Sequence, residues 1–169
     1  MDTEKALARV EELLKPFSKE ITKPAANRLD AIVAPEKLIE AVTVLTKEKW
    51  GYLLTITGLD VPAPAPAPES NEKPGENHVE LLYHFGEGAA IATLRVSLPY
   101  SNLNVPSVCG VIPAATLYER EIMEMLGVVC VGTPDPEKLL LPDDWPAGVF
   151  PLRKEFTGFN KQPEEGEGV

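Results

Sequence analysis

The sequence predicts an α+β fold in which helices pack on a small mixed or antiparallel sheet, followed by an extended, proline-rich C-terminal arm. Three observations predict it: three segments with helical apolar spacing, four segments rich in β-forming residues, and repeated prolines after residue 127. A length of 169 residues and an apolar content of 44% are typical of one globular domain. We expect the α+β domain to span residues 1–127 and the arm to span residues 128–169.

The N-terminal part of the chain alternates helix and strand. Asp2 or Thr3 is suited to cap a short amphipathic helix. Residues 27–34 read as a strand, and Pro35 is then well placed as the first residue of a second helix. Residues 50–59 are rich in β-formers and predict a further strand.

A biased segment separates this part from a predicted hairpin. Residues 61–77 begin with alternating proline and alanine and continue as a polar run, which predicts a surface loop within the domain. Two β-type runs follow, at residues 78–85 and 89–98. The Gly86-Glu87-Gly88 sequence between them has the composition of a hairpin connection.

The last predicted helix runs from Pro113 to Leu126 and ends at Gly127, a residue type that terminates helices in the left-handed conformation. From Val128 onward no further helix or strand is predicted, because prolines interrupt the chain repeatedly. This tail contains leucines, a tryptophan and phenylalanines. We therefore expect it to lie against its own domain or against a partner.

Charge and cysteine usage exclude several classes of protein. The net charge of −10, from 26 acidic and 16 basic residues, disfavours binding to nucleic acid or to anionic lipid. No apolar run approaches the length of a membrane span, and the N-terminus does not resemble a signal peptide, so we expect no direct membrane insertion and a cytoplasmic location. Cys109 and Cys130 stand among apolar neighbours and are expected to be inert core thiols.

Two arrangements could suggest cofactor binding or catalysis. The Gly86-Glu87-Gly88 fragment begins like a dinucleotide fingerprint, but position 91 is Ile and a strand follows, so nucleotide binding is not supported. His84 and Ser107 could be imagined in a hydrolase triad, but no nucleophile elbow surrounds the serine. We expect His84 to be a surface histidine on a strand.

The carboxylates of the last helix are the strongest catalytic candidates. Paired carboxylates on a helix can carry acid/base or di-metal chemistry, so a stand-alone carboxylate or metal enzyme using Glu119, Glu121 and Glu124 stays open. A helical wheel instead places Glu119 and Glu121 at the edges of the apolar stripe, with Arg120 and Glu124 able to pair across one turn. We expect these glutamates to face a partner or to hold the tail.

The tail supplies two cations that could meet these acids. Arg153 and Lys154 lie within reach of acidic groups such as Glu119 and Glu121, and a guanidinium suits a buried or interfacial carboxylate pair. A merely solvated basic pair is the alternative.

Three blocks of sequence in this region resemble a known family. They are Tyr118-Glu119-Arg120-Glu121-Ile122-Met123-Glu124-Met125-Leu126-Gly127, Leu139-Leu140-Leu141-Pro142-Asp143-Asp144-Trp145 and Pro151-Leu152-Arg153-Lys154. Their order and spacing resemble the respiratory-chain NADH dehydrogenase 30 kDa subunit family. This is the C-type subunit of complex I, and the family includes equivalent subunits of membrane-bound [NiFe] hydrogenases.

The resemblance implies a non-catalytic structural or assembly role. Such a protein holds no cofactor and sits on the peripheral arm, at the cytoplasmic side of the cell membrane. Its partners would be the large subunit that lines the quinone site or holds the Ni-Fe centre, and iron-sulfur subunits. Trp145, Leu152 and Arg153 would then be interface anchors.

The sequence also departs from the family pattern. Where the family has a histidine and two basic residues, this chain has Thr133 in the histidine position and Glu137 followed by a single basic residue, Lys138. Both the complex I type and the hydrogenase type therefore stay open, as does a soluble adaptor unrelated to redox chemistry.

Overall fold

The N-terminal helix begins at the predicted cap. In the computed structural model, which describes residues 2–63 and 75–158, the Asp2 carboxylate accepts a hydrogen bond from the Glu4 main-chain N–H. Helix α1 (Thr3–Leu14) follows, and its apolar stripe is buried. The aspartate satisfies one of the main-chain N–H groups that have no partner within the first turn.

Three α-helices and seven strands are present in the described residues. In chain order they are α1, β1 (Ser18–Ala25), β2 (Arg28–Val33), α2 (Leu38–Lys47), β3 (Tyr52–Val61), β4 (His78–Glu87), β5 (Ala90–Pro99), β6 (Asn104–Pro106), α3 (Thr116–Leu126) and β7 (Val129–Val131). A short 3₁₀ turn that starts with a proline leads into α2 and another leads into α3.

Five of the strands form one mixed sheet in the order β1-β2-β5-β4-β3. The pairs are antiparallel except for β2 with β5, which are parallel. The chain reaches β5 from β2 through α2 and the antiparallel strands β3 and β4. Strands β6 and β7 form a separate parallel pair. The α+β class and the mixed sheet are thus confirmed.

One face of the sheet is apolar and carries the helices. Alternate residues of β4 and β5 are buried, including Val79, Leu81, Leu94 and Val96, as the two-residue period of a strand requires. Helix α1 contacts β5 and β2, and the indole N–H of Trp50 donates to a main-chain carbonyl of α1. Burial of this one face holds the helices on the sheet.

Helix α3 packs beside β3 at a position where the strand has no side chain. A Cβ built on Gly58 would collide with the Leu126 side chain and would contact Ile122. The glycine therefore allows close approach between the helix and the strand. This contact fixes where the motif residues on α3 stand relative to the sheet.

Most predicted elements are confirmed, and three strands were missed. Strand β1 carries mostly exposed residues and contains Pro24, so it lacks the apolar alternation that marks a half-buried strand. The prediction of no further strand after Val128 was wrong, because β7 (Val129–Val131) pairs with β6. Both strands of this pair are three residues long, too short to give a periodic signal.

The predicted surface loop is only partly within the described structure. Val61 is the last residue of β3, and residues 64–74 lie outside the described residues. At the base of the loop, the Asn77 side chain accepts a hydrogen bond from the Ala63 main-chain N–H. The hairpin predicted between β4 and β5 is confirmed, and Gly88 in its turn has a φ of +60°.

Candidate functional site

A fully buried carboxylate joins α3 to the segment that follows β6. Glu119 is 0% exposed, and its two oxygens accept hydrogen bonds from the Ser107 hydroxyl and the Val108 main-chain N–H, each at 2.7 Å. The Cys109 thiol lies 3.2 Å from the same carboxylate. Because a buried charge needs this many donors, the side chain is committed to contacts inside the chain.

Arg120 and Glu124 bind the main chain of the segment after β7. Arg120 donates to the carbonyls of Glu137 and Lys138 at 2.8 and 2.7 Å and pairs with Asp135 at 2.9 Å. The Glu124 carboxylate accepts hydrogen bonds from three consecutive main-chain N–H groups, those of residues 139–141. The two side chains therefore hold the first part of the tail along α3.

Arg153 holds the second part of the tail against the end of α3. Its guanidinium donates to the Leu126 carbonyl at 2.9 Å and lies over two rings, 4.4 Å from the centroid of Phe150 and 4.7 Å from that of Tyr100. A cation at the C-terminal end of a helix is favoured by the helix dipole and by the unpaired carbonyls there. Gly127 must be a glycine, because a Cβ there would lie 2.5 Å from Phe150.

Asp60 at the end of β3 completes this attachment. One oxygen accepts a hydrogen bond from the Tyr100 hydroxyl, and the other accepts one from the Lys154 main-chain N–H at 2.8 Å. Burial, followed by the hydrogen bond to Asp60, raises the pKa of Tyr100 to about 12. The tyrosine therefore stays protonated and keeps donating across the physiological range.

These contacts correct two sequence-based interpretations. Arg120 and Glu124 do not form the expected pair across one turn, since each binds the tail. Arg153 does not meet Glu119 or Glu121, since its partners are Leu126 and, at 3.5 Å, Glu155. In both cases main-chain groups are among the partners, and side-chain patterning along a helix does not reveal them.

The remaining motif residues are half-buried or exposed. Trp145 and Pro151 are half-buried, and the Trp145 indole N–H donates to the Val149 carbonyl. The exposed ones are Glu121, Asp143, Asp144, Leu152 and Lys154. The structure therefore divides the motif into residues that hold the tail and residues that reach the surface.

A cavity of about 350 Å³ lies between α3 and the tail. Its lining includes Met123, Leu141, Trp145, Phe150 and Arg120. Residues of α3 and of the described part of the tail thus share the lining of this cavity.

The cysteines and a neighbouring tyrosine lie in the core. Cys109 and Cys130 are buried and free, as predicted, and burial raises the pKa of the Cys130 thiol. Burial likewise raises the pKa of Tyr83, whose hydroxyl has no hydrogen-bond partner within the described residues. A thiol with a raised pKa is a poor nucleophile.

The sheet face opposite the helices carries an ionic network. Arg95 donates to both carboxylate oxygens of Glu80, at 2.8 and 2.9 Å, and to Asp30 at 3.2 Å. Beside it, His84 Nδ1 lies 3.0 Å from the Thr93 hydroxyl, and burial, followed by the charge of Arg28, lowers the pKa of His84. His84 is half-buried, whereas the sequence predicted a surface histidine.

No pair or cluster with obvious catalytic geometry emerges from the described residues. Ser107 binds Glu119 while His84 is next to Thr93, so the two potential triad members have different partners. Glu119 is buried and Glu121 is exposed, while Glu124 binds the tail. Over residues 2–63 and 75–158, no three His, Cys, Asp or Glu side chains are grouped to hold a metal ion.

No helix in the described part of the chain combines the length and the apolar character needed to cross a membrane.

Comparison with known proteins connects this arrangement to respiratory and hydrogenase complexes. The chain is 42% identical over 140 residues to formate hydrogenlyase subunit 5 of Escherichia coli (strain K12), a match that covers 81% of this chain and 23% of that protein. It is 33% identical over 141 residues to the C-type subunit of the NADH-quinone oxidoreductase of Moorella thermoacetica, covering 81% of this chain and 84% of that one. The chain thus spans about a quarter of the first relative and most of the second.

Structure comparison gives the same connection. A chain of the membrane-bound sulfane sulfur reductase, an archaeal respiratory membrane complex, superposes with a TM-score of 0.70 at 26% identity, covering 90% of this chain and 85% of that chain. The model of the family described as respiratory-chain NADH dehydrogenase, 30 Kd subunit, matches residues 31–162, a range that includes all three motif blocks. The chain belongs to that family.

Proposed function

We propose that this chain is a structural and assembly subunit of a membrane-associated electron-transfer complex of the complex I and membrane-bound hydrogenase type. The observation that carries the proposal is the family match over residues 31–162. The chain contributes packing surface and positioning, and the redox centres reside on other subunits. Its place is the peripheral arm, on the cytoplasmic side of the membrane.

The way the tail is held supports a role in assembly. We propose that residues 1–127 form the body of the subunit and that residues 128–169 form an arm laid on the neighbouring subunit. The contacts from Arg120, Glu124 and Arg153 hold the described part of this arm before any partner arrives. A preordered segment loses less conformational entropy on binding, so these contacts favour association.

The motif residues then have two roles, one within this chain and one at the interface with other subunits. Arg120, Glu124 and Arg153 hold the arm against the body, while Glu119 fixes α3 within the body. The residues that reach the surface contact the large subunit that bears the quinone site or the metal centre, and the iron-sulfur subunits beside it. They are the exposed Glu121, Asp143, Asp144, Leu152 and Lys154 and the half-buried Trp145 and Pro151.

Two complexes fit, and one observation favours each. The 42% identity to a formate hydrogenlyase subunit favours a hydrogenase-type complex. The nearly full-length match to a C-type subunit of an NADH-quinone oxidoreductase favours a complex I type.

Purification of the tagged chain from its own cells in mild detergent tests the proposal. Co-purification of membrane subunits with iron and nickel would identify a hydrogenase-type complex. Iron with flavin and without nickel would identify the complex I type. Recovery of the chain alone, from cells that express such a complex, would overturn the proposal.

A further inference from the structure

Glu121 differs from the other charged residues of the motif. Glu119, Arg120, Glu124 and Arg153 each bind groups of this chain. Glu121 is exposed, and within the described residues its carboxylate has neither an ion pair nor a hydrogen bond. Its charge is therefore available for a group that another molecule supplies.

A depression of about 140 Å³ lies beside this carboxylate, between β3 and α3. Glu121 forms one wall, and Met125 and Leu152 provide apolar surface. Thr55 and Thr57 lie on the strand side. A long basic side chain packs its methylene groups on apolar surface while its cation binds a carboxylate, so this lining matches an arginine or a lysine.

Two exposed leucines lie close to Glu121, one on the same helix and one in the lining of the depression. Leu117 lies one helical turn before Glu121 and is 56% exposed, while Leu152 is 57% exposed. Apolar contacts around a charge pair exclude water from it, which is the arrangement of strong interface residues.

We propose that this depression receives a basic side chain from the neighbouring subunit of the complex, with its cation on Glu121 and apolar partner residues on Leu117 and Leu152. The inference rests on the proposed function and adds the chemistry of the partner surface to it. Charge complementarity selects the occupant: a single uncompensated carboxylate beside apolar side chains matches a partner side chain that joins one cation to an apolar stem.

Charge reversal tests the proposal in the full chain expressed in its own cells. We expect Glu121→Lys to reduce recovery of the complex by about tenfold or more, because it places two cations together within an apolar interface. The matched control is Glu20→Lys on β1, an exposed acid on the edge of the sheet opposite β3. It makes the same change in net charge and is expected to keep wild-type recovery. Thermal unfolding of both isolated variants must stay close to wild type.

A photo-reactive residue at position 152 then identifies the partner residue. We expect the crosslinked peptide to come from one defined subunit and to contain an arginine or a lysine. Changing that residue to glutamate is expected to restore assembly of the Glu121→Lys variant. Wild-type recovery of the Glu121→Lys complex would overturn this inference and leave the proposed function standing. Failure of the wild-type chain to recover any subunit would overturn both.

Discussion

The sheet region and the C-terminal tail are held together by different forces. The sheet region has a continuous apolar core in which side chains such as Leu29, Leu45 and Leu81 are fully buried. Residues 132–158 have no helix or strand and are attached mainly by charged side chains that bind main-chain groups. A core distributes its stability over many contacts, whereas the tail depends on a few.

This difference predicts different responses to substitution. Removing one contact from the tail should loosen it locally, because few other contacts compensate and the sheet does not depend on it. Removing a contact that joins α3 to the rest of the domain should lower the stability of the whole unit. We therefore expect the largest loss of stability when buried Glu119 on α3 is substituted. Substitutions that release the tail should have smaller effects, and those on the sheet face opposite the helices should have the smallest.

Glu119→Ala should have the largest effect. It removes the acceptor for the Ser107 hydroxyl and the Val108 N–H in the interior and leaves a cavity, so we expect a loss of about 3–5 kcal/mol in the free energy of unfolding. Urea unfolding followed by circular dichroism measures it. Glu121→Ala, on the exposed side of the same helix, should change stability by no more than about 0.5 kcal/mol. A loss below about 1 kcal/mol for Glu119→Ala would show that the surroundings relax around it.

Arg153→Ala should loosen the tail without unfolding the sheet. The variant loses the hydrogen bond to the Leu126 carbonyl and the contacts with two rings, which we expect to cost about 2 kcal/mol locally. Amide hydrogen exchange should accelerate in residues 150–156, with the amides of β4 and β5 unchanged.

Lys154→Ala is the matched control for this prediction. Its contact with Asp60 uses the main-chain N–H, so loss of the side chain should leave exchange near wild type. If Arg153→Ala accelerated exchange in β4 and β5 as much as in the tail, the sheet and the tail would form one cooperative unit and would not differ as proposed.

The sequence predicted the sheet region well because its elements carry periodic signals. Apolar runs of β-forming residues joined by a glycine-containing turn marked β4 and β5, and helical spacing ending at Gly127 marked α3. Strand β1 was missed because an edge strand with little buried surface needs no alternation. The two-residue apolar pattern of a strand arises because one of its faces is buried, so an exposed strand does not show the pattern.

The site was predictable only in its residue types. The motif identified Glu119, Arg120, Glu124 and Arg153 as a group, but all four bind main-chain groups of distant residues. Main-chain partners cannot be identified from the sequence, because almost every residue type carries the same main-chain N–H and carbonyl groups. One signal was available in principle: a leucine run and prolines following a charged helix indicated that the tail needed an attachment.

Glu124→Gln should have a smaller effect than the substitutions of Glu119 and Arg153. The amide keeps one carbonyl oxygen where the carboxylate supplies two to the N–H groups of residues 139–141, so we expect a local cost of about 1 kcal/mol. Exchange of these three amides should accelerate roughly fivefold. Glu137→Gln is the control, because the hydrogen bonds of Glu137 use its main chain, whose carbonyl binds Arg120 and whose N–H donates to Asp135. Equal acceleration in the two variants would contradict the role given to the Glu124 carboxylate.

The smallest effect concerns the pH dependence of the sheet region through His84. Its pKa in the folded chain is lowered from 6.5 by burial and by the charge of Arg28, so the unfolded chain binds the proton more readily. The contribution to stability is complete above about pH 7 and is lost as the pH falls through the folded pKa. His84→Asn should remove part of the decline in the free energy of unfolding between about pH 7 and pH 5, and Arg28→Gln should remove less of it, because burial is the larger cause. Denaturant titrations at closely spaced pH values measure both, and an unchanged decline in His84→Asn would assign it to the carboxylates.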